Sequence, residues 1–191
     1  MVYSVFYTPR QGLKMGRLML TSDGENLTGL WFEGQKYFAH GLTEELRSGR
    51  VTENADLPLF STVKSWLDSY FAGDRPALYE LSHNSKLSLN PQGTEFRRAV
   101  WDILCGIAYG ETTTYGEIAH VLASRMNREH MSSQAVGGAV GHNPISIIIP
   151  CHRVIGKDGS LTGYAGGLDK KIQLLEHEGV NTSVLSGQGK T

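Results

Sequence analysis

The stretch His142-Asn143-Pro144-Ile145-Ser146-Ile147-Ile148-Ile149-Pro150-Cys151-His152-Arg153-Val154-Ile155-Gly156 is the most informative in the chain. Its isoleucine run lies between Asn143-Pro144 and Pro150 and reads as a short, buried, extended segment, because β-branched side chains favour that backbone and the prolines stop a helix. The run delivers Cys151 onto a turn set by Pro150, with His152 beside it. Taken alone, a cysteine after such a run is ordinarily an inert buried hydrophobe. Neighbouring side chains on an extended chain also point to opposite faces. A turn, or a water between the two groups, would let the thiol and the imidazole serve one site.

Downstream, Gly156-Lys157-Asp158-Gly159 has the composition of a hairpin-like turn. In Gly163-Tyr164-Ala165-Gly166-Gly167 a tyrosine stands among four small residues, which fits a backbone held close to a flat ligand. Leu168, Ile172 and Leu175 then mark one face of a helix that runs to His177-Glu178-Gly179. A glutamate at a helix C-terminus is ordinarily solvated, and the helix dipole disfavours its charge. Buried beside His152, Glu178 would instead orient the imidazole, as a third group does in nucleophile–base systems.

Upstream, three helices are expected. Thr94 caps one whose apolar face is Phe96, Ala99, Val100, Ile103 and Leu104, broken by Gly106 to Gly110. A second covers Gly116 to Ala123, and a polar loop, Ser124 to Met131, follows. A third, Ser133 to Gly141, is built almost wholly from small residues, although each interior glycine costs about 1 kcal/mol relative to alanine. Either close helix packing or close approach of another backbone would account for it. Two short helices, the second smooth, resemble a helix-turn-helix, with a long joining loop.

The first half reads as strands followed by a helix. Val2–Tyr7, Gly16–Thr21 and Asn26–Phe32 are rich in strand formers, and Ser22-Asp23-Gly24 is a turn, so a small antiparallel sheet is expected. Leu59, Val63, Trp66, Leu67, Tyr70 and Phe71 lie on one helical face that stops at Gly73. That aromatic stripe is read as core rather than as a ligand box. Residues 82–93 are polar and carry Asn90-Pro91-Gln92-Gly93, with Leu87 and Leu89 as a short strand candidate. The expected organisation is an α+β protein with a sheet-and-helix domain over 1–90, a linker near 82–93, a mostly helical domain over 94–180 and a disordered tail over 181–191.

Composition narrows the function classes. The chain has 191 residues, 40% hydrophobic and 19% charged, which excludes a disordered tail and leaves one large domain or two small ones. No apolar run approaches the roughly 18 residues of a membrane span, and the first residues have no signal-peptide pattern. The default compartment is the cytoplasm. Two cysteines exclude a disulfide framework and a four-cysteine zinc site; neither a metal nor a cofactor is expected. Cys105 reads as structural, and His40 and His83 as surface histidines. Net charge is −1, with 9 basic and 10 acidic residues over 1–90 and 9 of each over 91–191. Neither half is a basic footprint, so any nucleic-acid binding must use local geometry and helix dipoles. Glycine, at 23 residues, is roughly 12% of the chain against a usual ~7%.

Pro150-Cys151-His152-Arg153-Val154 resembles the active-site signature of the O6-alkylguanine-DNA alkyltransferases (methylated-DNA–protein-cysteine methyltransferases). Asn143-Pro144, Gly163-Tyr164-Ala165-Gly166-Gly167 and His177-Glu178-Gly179 fall in the order of that family. The resemblance covers about residues 94–180, and more weakly 1–90, where it implies ribonuclease-H-like topology. It implies that Cys151 takes the alkyl group as a thioether, in a single suicidal turnover, from O6-alkylguanine and by extension O4-alkylthymine in double-stranded DNA. It further implies that His152 removes the thiol proton through a bridging water, that Glu178 orients His152 and that Asn143 holds the turn. Tyr115 would hydrogen-bond the flipped base, with Val154, Tyr164 and Ala165, and with Ser146 nearby, around it. The helix would lie in the minor groove, with Ser133, Gln134, Ala135, Gly138 and Thr114 on DNA and the protein acting as a monomer.

One position departs from the family. Where its pattern carries an intercalating arginine, this chain has Gln134. Arg125 and Arg128 in the long loop are candidates for compensating phosphate contacts, set against plain solvated charges. Three other classes compete. A lesion-binding module without chemistry would lack the reactive cysteine, and a thiol hydrolase acting on small substrates would turn over. A regulator would need a cysteine-rich sensor domain, for which two cysteines leave no room.

Overall fold

The computed structural model describes residues 1–185 apart from 11, 14, 43, 46, 47 and 77–87. These residues fall into two compact units, one of residues 1–92 with 144–146, the other of 93–143 with 147 onward. His83, Leu87 and residues 82–87 of the expected linker lie outside the described residues, as do 186–191.

The first unit is built on a five-stranded sheet, in the order β4 (Val51–Glu53), β1 (Val2–Tyr7), β2 (Leu18–Ser22), β3 (Asn26–Phe32), β5 (Ser88–Leu89). Strands β1 (Val2–Tyr7), β2 (Leu18–Ser22) and β3 (Asn26–Phe32) form the antiparallel centre. Gly24, at φ +110°, makes the β2–β3 turn that Asp-Gly announces. The expectation of a purely antiparallel sheet is corrected at both edges. β4 (Val51–Glu53) runs parallel to β1, and β5 (Ser88–Leu89) parallel to β3. β4, at three residues, is too short for a periodic pattern to reveal it, whereas β5 contains Leu89 of the strand candidate. β2 is buried at every position, so its two faces are both covered and no hydrophobic alternation appears. On one side Met19 clusters with Trp31, Ala39 and Leu42. Gly29 is required there, because a Cβ would collide with the Trp31 indole.

Helix α1 (Pro58–Ala72) buries Phe60, Val63, Trp66, Leu67, Tyr70 and Phe71, and ends at Gly73 in the left-handed region. The Tyr7 hydroxyl on β1 donates to Asp68 on α1 at 2.7 Å. The aromatic stripe is core, with Trp66 and Tyr70 stacked at 5.6 Å.

The second unit opens with α2 (Glu95–Cys105), whose cap Thr94 accepts from the Arg97 amide at 3.3 Å. The expected face is corrected by one residue: Val100, Trp101 and Leu104 are buried, and Phe96, Ala99 and Ile103 only half-buried. Trp101 turns inward because its indole N–H donates to the Ala139 carbonyl at 2.9 Å. β6 (Thr113–Thr114) leads into α3 (Tyr115–Arg125) through a reciprocal cap, in which Thr114 Oγ1 accepts from the Glu117 amide and Glu117 accepts from the Thr114 amide. Ser124 and Arg125 belong to α3, so the connection to α4 (Ser133–Gly141) covers 126–132 and is shorter than expected. Arg125 is paired with Asp102 on α2 at 2.6 Å, and Arg128 is exposed.

The segment 145–149 is buried as expected but is not extended. Only Ile145 bridges β3, at Leu30; the chain then turns, with Ile147 at φ +69°. A β-branched residue in that region is strained by about 1–3 kcal/mol. A one-turn 3-10 helix, Cys151–Arg153, follows and passes into β7 (Val154–Ile155), which pairs in parallel with β6. Last comes α5 (Leu168–His177), which buries Lys171, Leu174 and Leu175. Beyond it Thr182–Val184 forms a second 3-10 turn rather than a frayed end, and Leu185 packs on Ile155, Leu161 and Leu175. Among the described residues no helix is long and apolar enough to cross a membrane.

Candidate active site

Cys151 sits at the start of the 3-10 turn, 5% exposed, with its amide donating to the Ile149 carbonyl at 2.8 Å. The two amide hydrogens of Asn143 are both used there: Nδ2 donates to the Ile149 carbonyl at 2.7 Å and to Cys151 Sγ at 3.0 Å. Asn143 therefore holds the turn and also places a donor on the sulfur. Burial pushes the thiol's pKa up, while the Asn143 hydrogen bond and the positive charge of Lys171 work against that rise. The resting group is the thiol, which must lose its proton before it can act as a nucleophile.

His152 is wholly buried. On a 3-10 turn its side chain is no longer constrained to the face opposite Cys151. Its Nε2 lies 2.7 Å from Glu178 Oε1. Burial lowers the imidazole's pKa even though Glu178 pulls the other way. The ring is thus neutral near pH 7. Because Glu178 is ionised and can only accept, the ring proton is on Nε2. Nδ1 carries the free lone pair, is buried and, among the described residues, has no hydrogen-bond partner.

Glu178 stands just past the last turn of α5, 3% exposed. Oε1 accepts from His152 and from Arg153 Nη2 at 2.9 Å; Oε2 accepts from Arg153 Nε at 2.8 Å and from the Gly110 amide at 3.2 Å. Burial opposes the carboxylate's charge, but the hydrogen bonds and charge of His152 and Arg153 outweigh it and hold the pKa well below the usual range. The helix-dipole penalty expected at this position is overridden by the guanidinium. Arg153 also donates to the Ile107 carbonyl at 2.6 Å and lies over the Tyr109 ring at 5.8 Å. Gly110, at φ +78°, is needed, since a Cβ would come within 2.8 Å of the Glu178 carbonyl oxygen.

Tyr115, at the first position of α3, is brought towards this corner by the β6–β7 ladder, which pairs Thr113 with Val154. Its hydroxyl donates to the Thr162 carbonyl at 3.2 Å. Val154 is buried, and Tyr164 and Ala165 are half-buried. Ser146 lies in the first unit, with its amide on the Leu30 carbonyl and its hydroxyl on Gln35 Oε1 at 3.4 Å. Ser133, Gln134, Ala135 and Gly138 form the exposed side of α4, and Thr114 is half-buried. Val136, Ala139 and Val140 form its buried side. Cys105 is half-buried with its thiol pushed up to about 11 by burial. His40 is exposed, and among the described residues no group of three or more His, Cys, Asp or Glu side chains could hold a metal.

Two residues escaped the sequence reading. Arg153 stood inside the quoted signature without a role. Lys171 interrupts the apolar face of α5, three residues after Leu168 and four before Leu175, and is completely buried. A lysine at a core position of a helix is the signal that would have found it.

A buried thiol held by an amide, beside a histidine–carboxylate pair and on a helical unit, defines a protein with a cysteine nucleophile. The comparisons with known proteins specify which. Residues 95–180 match the family model "6-O-methylguanine DNA methyltransferase, DNA binding domain", and residues 1–81 its "ribonuclease-like domain". A methylated-DNA–protein-cysteine methyltransferase of Haemophilus influenzae is 43% identical over 164 residues, 86% of this chain and 81% of that protein. One from Methanosarcina acetivorans is 41% identical over 180 residues, 94% of this chain and 99% of that one. The crystal structure of a Mycobacterium tuberculosis relative in complex with DNA superposes with a TM-score of 0.71 at 35% identity, covering 96% of this chain and 98% of the other. The chain belongs to the 6-O-methylguanine DNA methyltransferase family.

His152 and Glu178 both have pKa values lowered in the folded protein. Their contributions to stability are complete above the unfolded values, about 6.5 and 4.3, and are lost as pH falls through the folded ones. Glu178→Gln is expected to cost about 3 kcal/mol at pH 7, because it leaves Arg153 buried without its counter-ion. It should also remove the Glu178 part of the acid limb, below about pH 4. Urea unfolding of both proteins across that range measures this; equal stability at pH 7 would show that the carboxylate contributes nothing.

Proposed function

We propose that the protein repairs DNA by direct reversal: it moves an alkyl group from O6 of guanine to Cys151, once per molecule. The observation that carries this reading is the buried constellation of Cys151 Sγ, Asn143, neutral His152 and ionised Glu178 in a member of this family. His152 Nδ1 takes the thiol proton through a bridging water, and Glu178 stabilises the imidazolium that forms. The thiolate attacks the alkyl carbon. The C–O6 bond breaks, its electron pair leaves with guanine, and the thioether stays on Cys151. The Tyr115 hydroxyl is the donor to the leaving base. Val154, Tyr164 and Ala165 line the base site.

The target atom is out of reach inside a duplex, so the nucleotide is flipped out, at a cost of a few kcal/mol. The partner is double-stranded DNA, met from the minor groove by the exposed side of α4, as in a helix-turn-helix. Ser133, Gln134, Ala135 and Gly138 give that side no charge and almost no relief. A Cβ added at Gly138 would meet nothing within 4 Å, so internal packing does not explain this glycine. Close approach to a DNA backbone does, and it needs no base code. Thr114, which caps α3, flanks this surface. Gln134 fills the gap left by the flipped nucleotide, with weaker stacking than an arginine. The protein acts as a cytoplasmic monomer.

Incubation with a duplex holding one O6-methylguanine is expected to add one methylene mass to Cys151 and then stop at one per protein, by intact mass and peptide mapping. Tight lesion binding without a mass change would leave only a recognition module. Gly138→Ala should stabilise the protein by up to about 1 kcal/mol through helix propensity while slowing repair of duplex DNA but not of the free base; unchanged duplex repair would remove α4 from the groove. Gln134→Ala should slow duplex repair, and an unaltered rate would end the gap-filling role.

A further inference from the structure

Lys171 lies in the middle of α5 with no exposed surface. Its Nζ donates to two carbonyl oxygens, Val154 at 2.6 Å and Thr162 at 3.0 Å, and among the described residues to no carboxylate. Burying an ammonium against neutral acceptors is costly, and an apolar side chain of similar size is often the more stable choice. Burial accordingly pulls its pKa down to about 8, against the attraction of Cys151. The neighbouring positions on this face, Leu168, Ile172 and Leu175, are apolar. A lysine kept here points to a task other than stability.

Its two acceptors show what that task is. The Thr162 carbonyl has a second donor, the Tyr115 hydroxyl at 3.2 Å. A carbonyl oxygen has two lone pairs, so one can hold the ammonium and the other the phenol. The next residue, Gly163, has φ +64°, and a Cβ there would stand 3.6 Å from the Tyr115 hydroxyl oxygen. That is ordinary van der Waals contact, so the loop runs alongside Tyr115. The other acceptor, Val154, follows the turn that carries Cys151 and pairs with Thr113, two residues before Tyr115.

We propose that Lys171 is a positioning residue for alkyl transfer, fixing the Thr162 carbonyl that aims the Tyr115 hydroxyl and, through Val154, the turn that presents Cys151. The proposal rests on the alkyl-transfer reading given above. Lys171 touches neither the base nor the reacting carbon. It acts through the acceptor it shares with Tyr115, so the two side chains are energetically coupled, whereas a lysine that merely supports α5 would act independently of that phenol.

Single-turnover rates of methyl transfer from an O6-methylguanine duplex, read by intact mass, test this in a cycle of the unmodified protein, Lys171→Met, Tyr115→Phe and the double variant. Lys171→Met is expected to slow transfer by about tenfold or more. The double variant is expected to be within about threefold of the slower single variant, because the two side chains share one acceptor. An unimpaired Lys171→Met, or a double variant whose loss is the product of the single losses, overturns the proposal. Lys171→Gln, which keeps a donor without the charge, runs through the same cycle under the same two criteria if Lys171→Met fails to fold. Absence of methylation in the unmodified protein would refute the alkyl-transfer reading itself; methylation with an unimpaired lysine variant refutes only the role of Lys171.

Discussion

The carboxylate of Glu178 is buried and accepts four hydrogen bonds: from His152, twice from Arg153 and from the Gly110 amide. An ionised carboxylate offers about four lone-pair sites, and donors surround this one on both oxygens. A buried carboxylate with even one partner missing would be raised in pKa or would destabilise the fold. The group therefore dictates its surroundings. It fixes the proton of His152 on Nε2, leaves Nδ1 as the basic atom and holds Arg153 beside the cysteine turn. Through Gly110 and the Arg153 contact to the Ile107 carbonyl, it also pins the loop that leaves α2.

A second constraint acts on the same turn from the other side. Asn143 spends its amide on the Ile149 carbonyl and on Cys151 Sγ, and Ile147 holds a backbone conformation that a β-branched residue rarely adopts. The nucleophile thus sits on a strained turn clamped between an amide on one flank and a carboxylate–guanidinium pair on the other. Such clamping keeps a reacting atom within a fraction of an ångström of its working position. The cost in backbone strain and in a buried lysine is met by the packed helices around it, where Trp101, Val136, Ala139 and Leu174 are almost completely buried.

The α4 helix follows a different logic. Its inner side is ordinary: Val136, Ala139 and Val140 pack, and the Ala139 carbonyl accepts from the Trp101 indole. Its outer side gives up helix propensity at Gly138 with no neighbour that demands it. The sequence left two explanations for this small-residue helix. Packing accounts for the buried side, and the other side is exposed and uncharged.

What the sequence determined by itself was local. Apolar spacing defined α1, Asp-Gly defined the β2–β3 turn and Thr94 opened α2, because each depends on neighbours within a few residues. The signature around Cys151 identified the family, since it sets the cysteine and the histidine side by side. The parallel edge strands, the β6–β7 ladder, the turn at Ile147 and the carbonyl partners of Lys171 were decided only by tertiary structure. Two- and three-residue strands carry no period, and a lysine on an apolar face becomes meaningful only when its carbonyl partners are known. The link between Glu178 and His152 spans 26 residues, and that to Gly110 spans 68. No local rule reaches that far; the chain must fold before the carboxylate meets the donors that keep it charged.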